Sequence, residues 1–417
     1  MNAFSLPEAA SQAGTAEALC RAWQATRALS LLLAAPLSAE DLTAQAHEDC
    51  SPGKWHLAHT SWFLDRLILR PLGLSPAPVG AYDALFNSYY VSLGARERRD
   101  ARGLLTRPSL AQVLAYRAEV DAKILALLEG GGREEHAQEA WPLVELAIHH
   151  EQQHQELFLA DILALFALNP LRPAYLAFPA PSGSTPGRAP TRFVRHEGGL
   201  LEIGAGPEGF AYDCERPRHR VFIEAFSLAD QPVSNGEWAQ FIKDGGYDNP
   251  LLWLSDGWAR REQASWRAPA YWHDDGSEMS LLGAIQRDPN APVRHISYYE
   301  ADAFARWAGK RLPTEAELEI ALPALSETGF ARLEDLAAPA RAPALWHWTS
   351  SAFAPYPGFR PEAGPAAEYN GKFMINQLVL RGGCFATPIG HLRASYRNFY
   401  YPHQRWMFSG LRLAETS

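Results

Sequence analysis

A chain of 417 residues is longer than one hydrophobic core usually supports, so two domains are expected, each able to bury a core of its own. Hydrophobic residues make up 47% and charged residues 20%, which excludes a largely disordered chain. The formal net charge of -9 argues against a sequence-independent grip on DNA or RNA, which needs a basic surface, and leaves room for a local basic pocket that takes a small acid.

The N-terminal stretch MNAFSLPEAASQAG lacks a basic segment followed by an apolar one and does not read as a secretory signal. The stretches LSLLLAAPL and LFLADILALFAL fall short of a membrane span or contain an acid, so no membrane association and a cytoplasmic location are expected. Cys20, Cys50, Cys214 and Cys384 are scattered, with no C-x-x-C pair, and are expected to be free thiols.

Apolar residues recur at helical spacing through residues 15 to 175, interrupted by turn-formers at Ser51-Pro52-Gly53, Pro71 to Pro78 and Gly130-Gly131-Gly132. The spacing predicts helices over about 15–35, 52–70, 109–129 and 139–167, and hence a helical bundle. The connection 71–108 is long enough to expect a function for it. FPAPSGSTPGRAPTR then reads as a linker, over 177–192. Beyond it, short β-type runs (FVRHEGGLLEIGA, HRVFIEAFSLA, LVLRGGCFA, FSGLRLA) alternate with turns and with two helices near 234–243 and 298–308, which predicts an α+β domain.

Within HHEQQHQE, His150 and His154 stand one helical turn apart and can offer two imidazoles to one metal ion. SPGKWHLAHTSWF places His56 and His59 on another predicted helix, and one of them would complete a three-histidine site. Three imidazoles leave open positions on a first-row metal, which suits iron oxygen chemistry and hydrolytic zinc equally. HEQQH also matches the zinc-peptidase pattern, with Glu151 as general base, but no third ligand follows downstream. FNSYYVSLGARERR carries paired tyrosines and then Arg96, Arg98 and Arg99, whose forked guanidinium groups suit carboxylates. RNFYYPHQRW is an aromatic run that could box a quaternary ammonium or simply pack a core.

These stretches together resemble the non-haem iron sulfoxide synthases of ergothioneine biosynthesis and the related ovothiol enzymes. SPGKWHLAHTSWF, FNSYY and HHEQQHQE are similar to that family's DinB-like four-helix bundle; FAYDCERPRHRV, PVSNGEWAQF, HISYYEADAFARWAGKRLPTEAELE, LWHWTSS and VLRGGCFATP are similar to its formylglycine-generating-enzyme-type domain, a C-type-lectin-like α+β fold. The resemblance implies a bundle over 1–176, the linker 177–192, and an α+β domain over 193–417 that caps the site. It further implies Fe(II) held by His59, His150 and His154, with His56, His149 and Glu151 not ligands and Glu156 in a supporting role.

The implied reaction uses oxygen to join the sulfur of cysteine or γ-glutamylcysteine to a ring carbon of hercynine, the trimethyl betaine of histidine, leaving a sulfoxide. A tyrosine hydroxyl would serve as proton donor: Tyr90 or Tyr89, Tyr90 being favoured, with Tyr369 a more distant candidate. By the same resemblance Arg96 and Arg99 would clamp the carboxylates of the donor, Arg98 would be exposed, Gln153 would touch the bound imidazole, Asn398 would hold the carboxylate of hercynine and Phe399 would face its trimethylammonium group. Tyr400 stands where some members using γ-glutamylcysteine carry an acid, RERR lacks the histidine and proline common between the arginines, and His347 and Cys384 replace a glutamate and a serine.

Within the same chemistry, a selenoneine synthase taking selenium from a selenosugar and an ovothiol-type enzyme acting on unmethylated histidine are the alternatives. A DinB-like zinc hydrolase or thiol transferase, or a C-terminal domain serving only as a binding module, are the readings from other classes. Formylglycine-generating activity is not expected, because Cys214 and Cys384 stand singly in different motifs. A monomer or homodimer is expected.

Overall fold

Four helices, one of them buried along its whole length, organise the first half of the chain. In a computed structural model that describes residues 16–76, 81–129, 134–178, 187–322, 329–336, 345–362 and 368–416, they are α1 (Ala16–Ala34), α2 (Gly53–Leu64), α4 (Leu110–Leu128) and α5 (Glu134–Ala167), with the short α3 (Ala81–Phe86) between α2 and α4. The predicted spans fall within a few residues of these, except that the helix expected over 52–70 turns into a π-helical segment at Asp65–Leu69 and the last helix begins earlier than 139. The connection 71–108 is not a bare loop, since it holds α3 and 3-10 turns at Val91–Leu93 and Arg99–Leu104. The Gly130-Gly131-Gly132 turn and residues 179–186 of the expected linker lie outside the described residues.

Every residue of α2 is buried, as befits a helix packed against both α4 and α5. It begins at Gly53, where a Cβ would stand 2.5 Å from Leu42 Cδ2 and 2.8 Å from Phe158 Cε2, so a larger residue would push α2 away from α5. A capping box between Ser109 and Gln112 starts α4. The core is filled by Trp23, Leu33, Trp62, Phe63, Val113, Val120, Ile124, Val144 and Leu159.

A polar cluster is embedded among these apolar layers. Arg27 of α1 donates to Glu151 of α5 (2.7 Å), Asp121 of α4 (2.6 Å) and Ser61 of α2 (2.9 Å), while Arg117 of α4 donates to Glu151 at 2.5 Å. Four helices are thereby tied together through charges that need one another. By compactness this unit comprises Met1–Pro170 together with Pro207–Phe210 and Pro361–Tyr369.

The second unit comprises Leu171–Gly206, Ala211–Arg360 and Asn370–Ser417. Its strands are β1 (Phe193–His196), β2 (Gly199–Ile203), β3 (His219–Ile223), β4 (Phe226–Ala229), β5 (Ser277–Ser280), β6 (Gly283–Gln286), β7 (Trp346–Ala352), β8 (Leu378–Arg381), β9 (Asn398–Tyr400), β10 (Ser409–Gly410) and β11 (Ala414–Thr416). They form sheets of order β1-β4-β11 and β10-β7-β8-β9 and the hairpins β2-β3 and β5-β6, antiparallel throughout except for β10 against β7.

The two predicted helices are α6 (Asn235–Lys243) and α8 (Tyr298–Trp307); α7 (Ser255–Gln263), α9 (Glu315–Ala321) and α10 (Leu333–Leu336) were not expected. Capping boxes at Ser234/Glu237, Ser297/Glu300 and Thr314/Glu317 begin α6, α8 and α9, so the Thr-x-x-Glu signal for α9 was present in the sequence. Ile203, Ile223, Phe226, Leu228, Leu318 and Ala414 form one apolar cluster in which α9 packs on strands. Helical bundle and α+β unit together give the mixed fold class the resemblance implied. No described helix is long and apolar enough to cross a membrane.

Candidate metal centre

Among the described residues, His59 of α2 and His150 and His154 of α5 form a group whose ligand atoms lie within 4.8 Å of one another. Helical spacing puts His150 and His154 on one face of α5, and the packing of α2 on α5 brings His59 to them. The Nε2 atoms of His59 and His150 are 3.2 Å apart. Two nitrogens each about 2.1 Å from one ion at right angles would be about 3 Å apart, so this spacing fits a shared metal.

The protonation states fit as well. Burial lowers the pKa of His150 to about 3, against a smaller upward pull from Glu151. Burial likewise holds His59 and His154 well below the usual histidine range, with neighbouring histidines adding to the effect. All three are therefore neutral near pH 7, the form that binds a metal. His59 Nδ1 lies 2.6 Å from the carbonyl oxygen of Phe86, which can only accept; Nδ1 carries the proton and Nε2 is left with its lone pair. His150 Nδ1 is buried without a hydrogen-bond partner among the described residues. The donor set, neutral and converging, with His59 and His150 buried and His154 half-buried, fits a first-row transition metal, and nitrogen ligands alone accept iron or zinc.

Aromatic rings hold the cluster. Trp55 stacks on His59 at 4.5 Å and Trp62 stacks on it at 5.7 Å, one helical turn before and after. Phe63 lies 4.2 Å from the ring of His150. These rings were not singled out in the sequence, although the W-x-x-x-H-x-x-W spacing around His59 carried the signal.

The remaining members of HHEQQHQE make other contacts. The His149 ring stacks on Phe210 at 3.9 Å. Both carboxylate oxygens of Glu151 are taken by Arg27, Arg117 and Ser30, so Glu151 is committed to these partners rather than free to serve as a peptidase base. Glu156 is buried. Gln153 accepts a hydrogen bond from the hydroxyl of Tyr369, whose ring centroid lies 5.6 Å from that of His150. Tyr369 thus joins the histidine cluster.

Tyr90 is 1% exposed and its ring lies 6.1 Å from Trp62, 6.2 Å from Phe63 and 4.6 Å from Tyr89. The ring of Tyr89 lies 6.3 Å from that of Tyr369. Arg96 and Arg99 are exposed and donate to the backbone carbonyls of Ser88 and Asp49; neither pairs with a carboxylate among the described residues. Arg98, also exposed, is neutralised by Asp100.

In the second unit, Asn398 turns its Oδ1 to the backbone N–H of Phe399 at 2.9 Å. Phe399 stacks on Phe353 at 4.0 Å, and Tyr400 packs edge-on to Trp406 at 5.4 Å.

Comparison with known proteins gives two family matches: residues 22–158 match the DinB superfamily, and residues 180–344 match the Sulfatase-modifying factor enzyme 1-like domain. The hercynine oxygenase of Mycolicibacterium smegmatis is 36% identical, over 90% of this chain and 93% of its own. That of Mycolicibacterium thermoresistibile is 33% identical, over 87% of each chain. The formylglycine-generating enzyme of Streptomyces coelicolor is 35% identical over 36% of this chain and 52% of its own.

Proposed function

This chain belongs to the hercynine oxygenase family, and from that premise we propose that it is an iron(II)- and oxygen-dependent sulfoxide synthase of ergothioneine biosynthesis, joining a cysteine-type thiol to hercynine. The observation that carries the reading is the converging, neutral His59–His150–His154 group, with His59 and His150 buried and His154 half-buried, inside a DinB-type bundle. Iron(II), when bound by these three imidazoles, supplies the redox centre for oxygen and a Lewis acid for the thiol.

Tyr369 is the proposed proton donor, in preference to Tyr90 and Tyr89. Its hydroxyl is aimed by Gln153, the residue before His154, and its ring lies against His150. Arg96 and Arg99 keep guanidinium donors for the carboxylates of the thiol substrate, because among the described residues their side chains donate to backbone carbonyls and to no carboxylate. Asn398 is proposed for the carboxylate of hercynine and Phe399 for its trimethylammonium group, which an aromatic face suits because the group cannot donate hydrogen bonds. Tyr400, in the same strand, is proposed to shape that substrate pocket. The four cysteines are free thiols, which suits a reducing compartment, and a cytoplasmic location is part of the proposal.

The test is oxygen consumption by anaerobically iron(II)-loaded protein with hercynine, offered cysteine, γ-glutamylcysteine or a selenosugar in parallel, with the mass of the product read at the end. Oxygen uptake that needs both hercynine and a thiol, yielding a joined sulfoxide, is expected. Uptake only with the selenosugar would transfer the assignment to selenoneine synthesis. No uptake with any donor, by protein that holds its iron, would overturn it.

A further inference from the structure

His56 is buried one turn before His59 on α2, outside the three-histidine group, yet it touches that group. Its Nδ1 lies 2.8 Å from Nδ1 of His154, and its Nε2 lies 3.0 Å from Oδ2 of Asp161. The same carboxylate oxygen accepts the backbone N–H of Ser51 at 2.8 Å, two residues before α2 begins. His154 and Asp161 are seven residues apart on α5, two turns and about 10 Å along one helix face, and the His56 ring bridges them from the facing helix. His56 and Asp161 side chains are each 5% exposed.

We propose that His56 and Asp161 form a positioning pair that fixes the tautomer of His154, so that its Nε2 presents a lone pair to the metal. This deepens, and rests on, the three-histidine metal site proposed above. A carboxylate can only accept, so Nε2 of His56 carries a proton, directed at Asp161. In the proposed arrangement that is the one proton of His56, so its Nδ1 accepts and Nδ1 of His154 donates across the 2.8 Å contact. Nε2 of His154 is left unprotonated.

The opposite tautomer would present an N–H where a ligand is needed. His59 achieves the same result directly, through the carbonyl of Phe86. His154 achieves it through two side chains, and the Ser51 contact makes the start of α2 part of the same support. Partners of this kind typically change metal affinity by about 10- to 100-fold.

The experiment has two arms. In the metal-free wild-type protein, nitrogen NMR of labelled histidine, assigned with a His154→Asn sample, reads the tautomer directly and depends on no other variant. Protonation of His154 at Nδ1 is expected, and protonation at Nε2 overturns the proposal. In the second arm, cobalt(II) alone is titrated into the wild type, His56→Leu, Asp161→Ala and the double variant, with the thermal midpoint of each metal-free protein measured alongside.

Asp161→Ala is expected to weaken cobalt(II) binding by about 10- to 100-fold and to add nothing in the His56→Leu background. Equal binding by the wild type and Asp161→Ala, or losses that simply add, overturns the relay, whereas a wild type that binds no cobalt(II) overturns the metal site beneath it. A purely structural role would lower the metal-free midpoint and leave the coupling in metal affinity absent.

Discussion

Arg117 of α4 donates to Glu151 of α5 at 2.5 Å, and both side chains are 1% exposed. Glu151 follows His150 directly, so the residue that would be the base of a peptidase is instead the anion that two buried arginines require. Glu151→Leu should destabilise the protein by about 3–5 kcal/mol, because it leaves the Arg117 charge unpaired in the core. Urea denaturation checks this. A Glu151→Leu protein of wild-type stability but without catalysis would return Glu151 to a chemical role.

Tyr369 and Tyr90 can be separated by the loss of one oxygen atom. Tyr369→Phe should lower sulfoxide formation by about 10²- to 10⁴-fold while leaving the amount of bound metal unchanged. Tyr90→Phe should cost less. Product mass and metal content, measured on the same preparations, check the assignment, and a larger loss in Tyr90→Phe would reverse it.

The arginines differ in what already occupies them. Arg96→Ala and Arg99→Ala should each raise the KM for the thiol donor by about 5- to 10-fold, the worth of an exposed charge-assisted contact, with the KM for hercynine unaffected. Arg98→Ala should change neither, since Asp100 already neutralises that side chain. Steady-state kinetics with each substrate varied in turn provides the check.

Glu315 of α9 gives the second unit an acid-sensitive core. Burial raises the pKa of its carboxyl, but Arg381 and Arg397, at 3.0 and 2.8 Å, outweigh this and hold it below the usual range. A group whose folded pKa is depressed contributes stability above its unfolded pKa, about 4.3 for glutamate, and loses it as pH falls through the folded value. Glu315→Gln should therefore be less stable at pH 7, by about 3 kcal/mol, and the gap to the wild type should narrow below about pH 4. Denaturant midpoints from pH 7 to pH 3 check the sign. A gap that widens with acid would contradict it.

Much of this was legible along the chain, and unevenly so. The extents of α1 and α4 follow from apolar spacing and a Ser-x-x-Gln cap, because helix periodicity and capping are local. The strand β7 was not legible: WHWTSSA has mixed character, and its pairing with β8 and β10 depends on residues far along the chain. Short helices such as α7 leave only weak periodicity, and α9 was announced by its cap alone.

By itself the sequence determined the class of fold, the one-turn spacing of His150 and His154, and through its motifs the family. Tertiary structure decided what each side chain meets. It brought His59 to His150 across 91 residues of chain, gave His56 to Asp161 across 105, and laid Tyr369 on Gln153 across 216. The reason is physical: periodicity and capping are set by neighbours within a turn of helix, whereas the protonation of a buried histidine and the use of a buried carboxylate depend on which distant groups share its desolvated space.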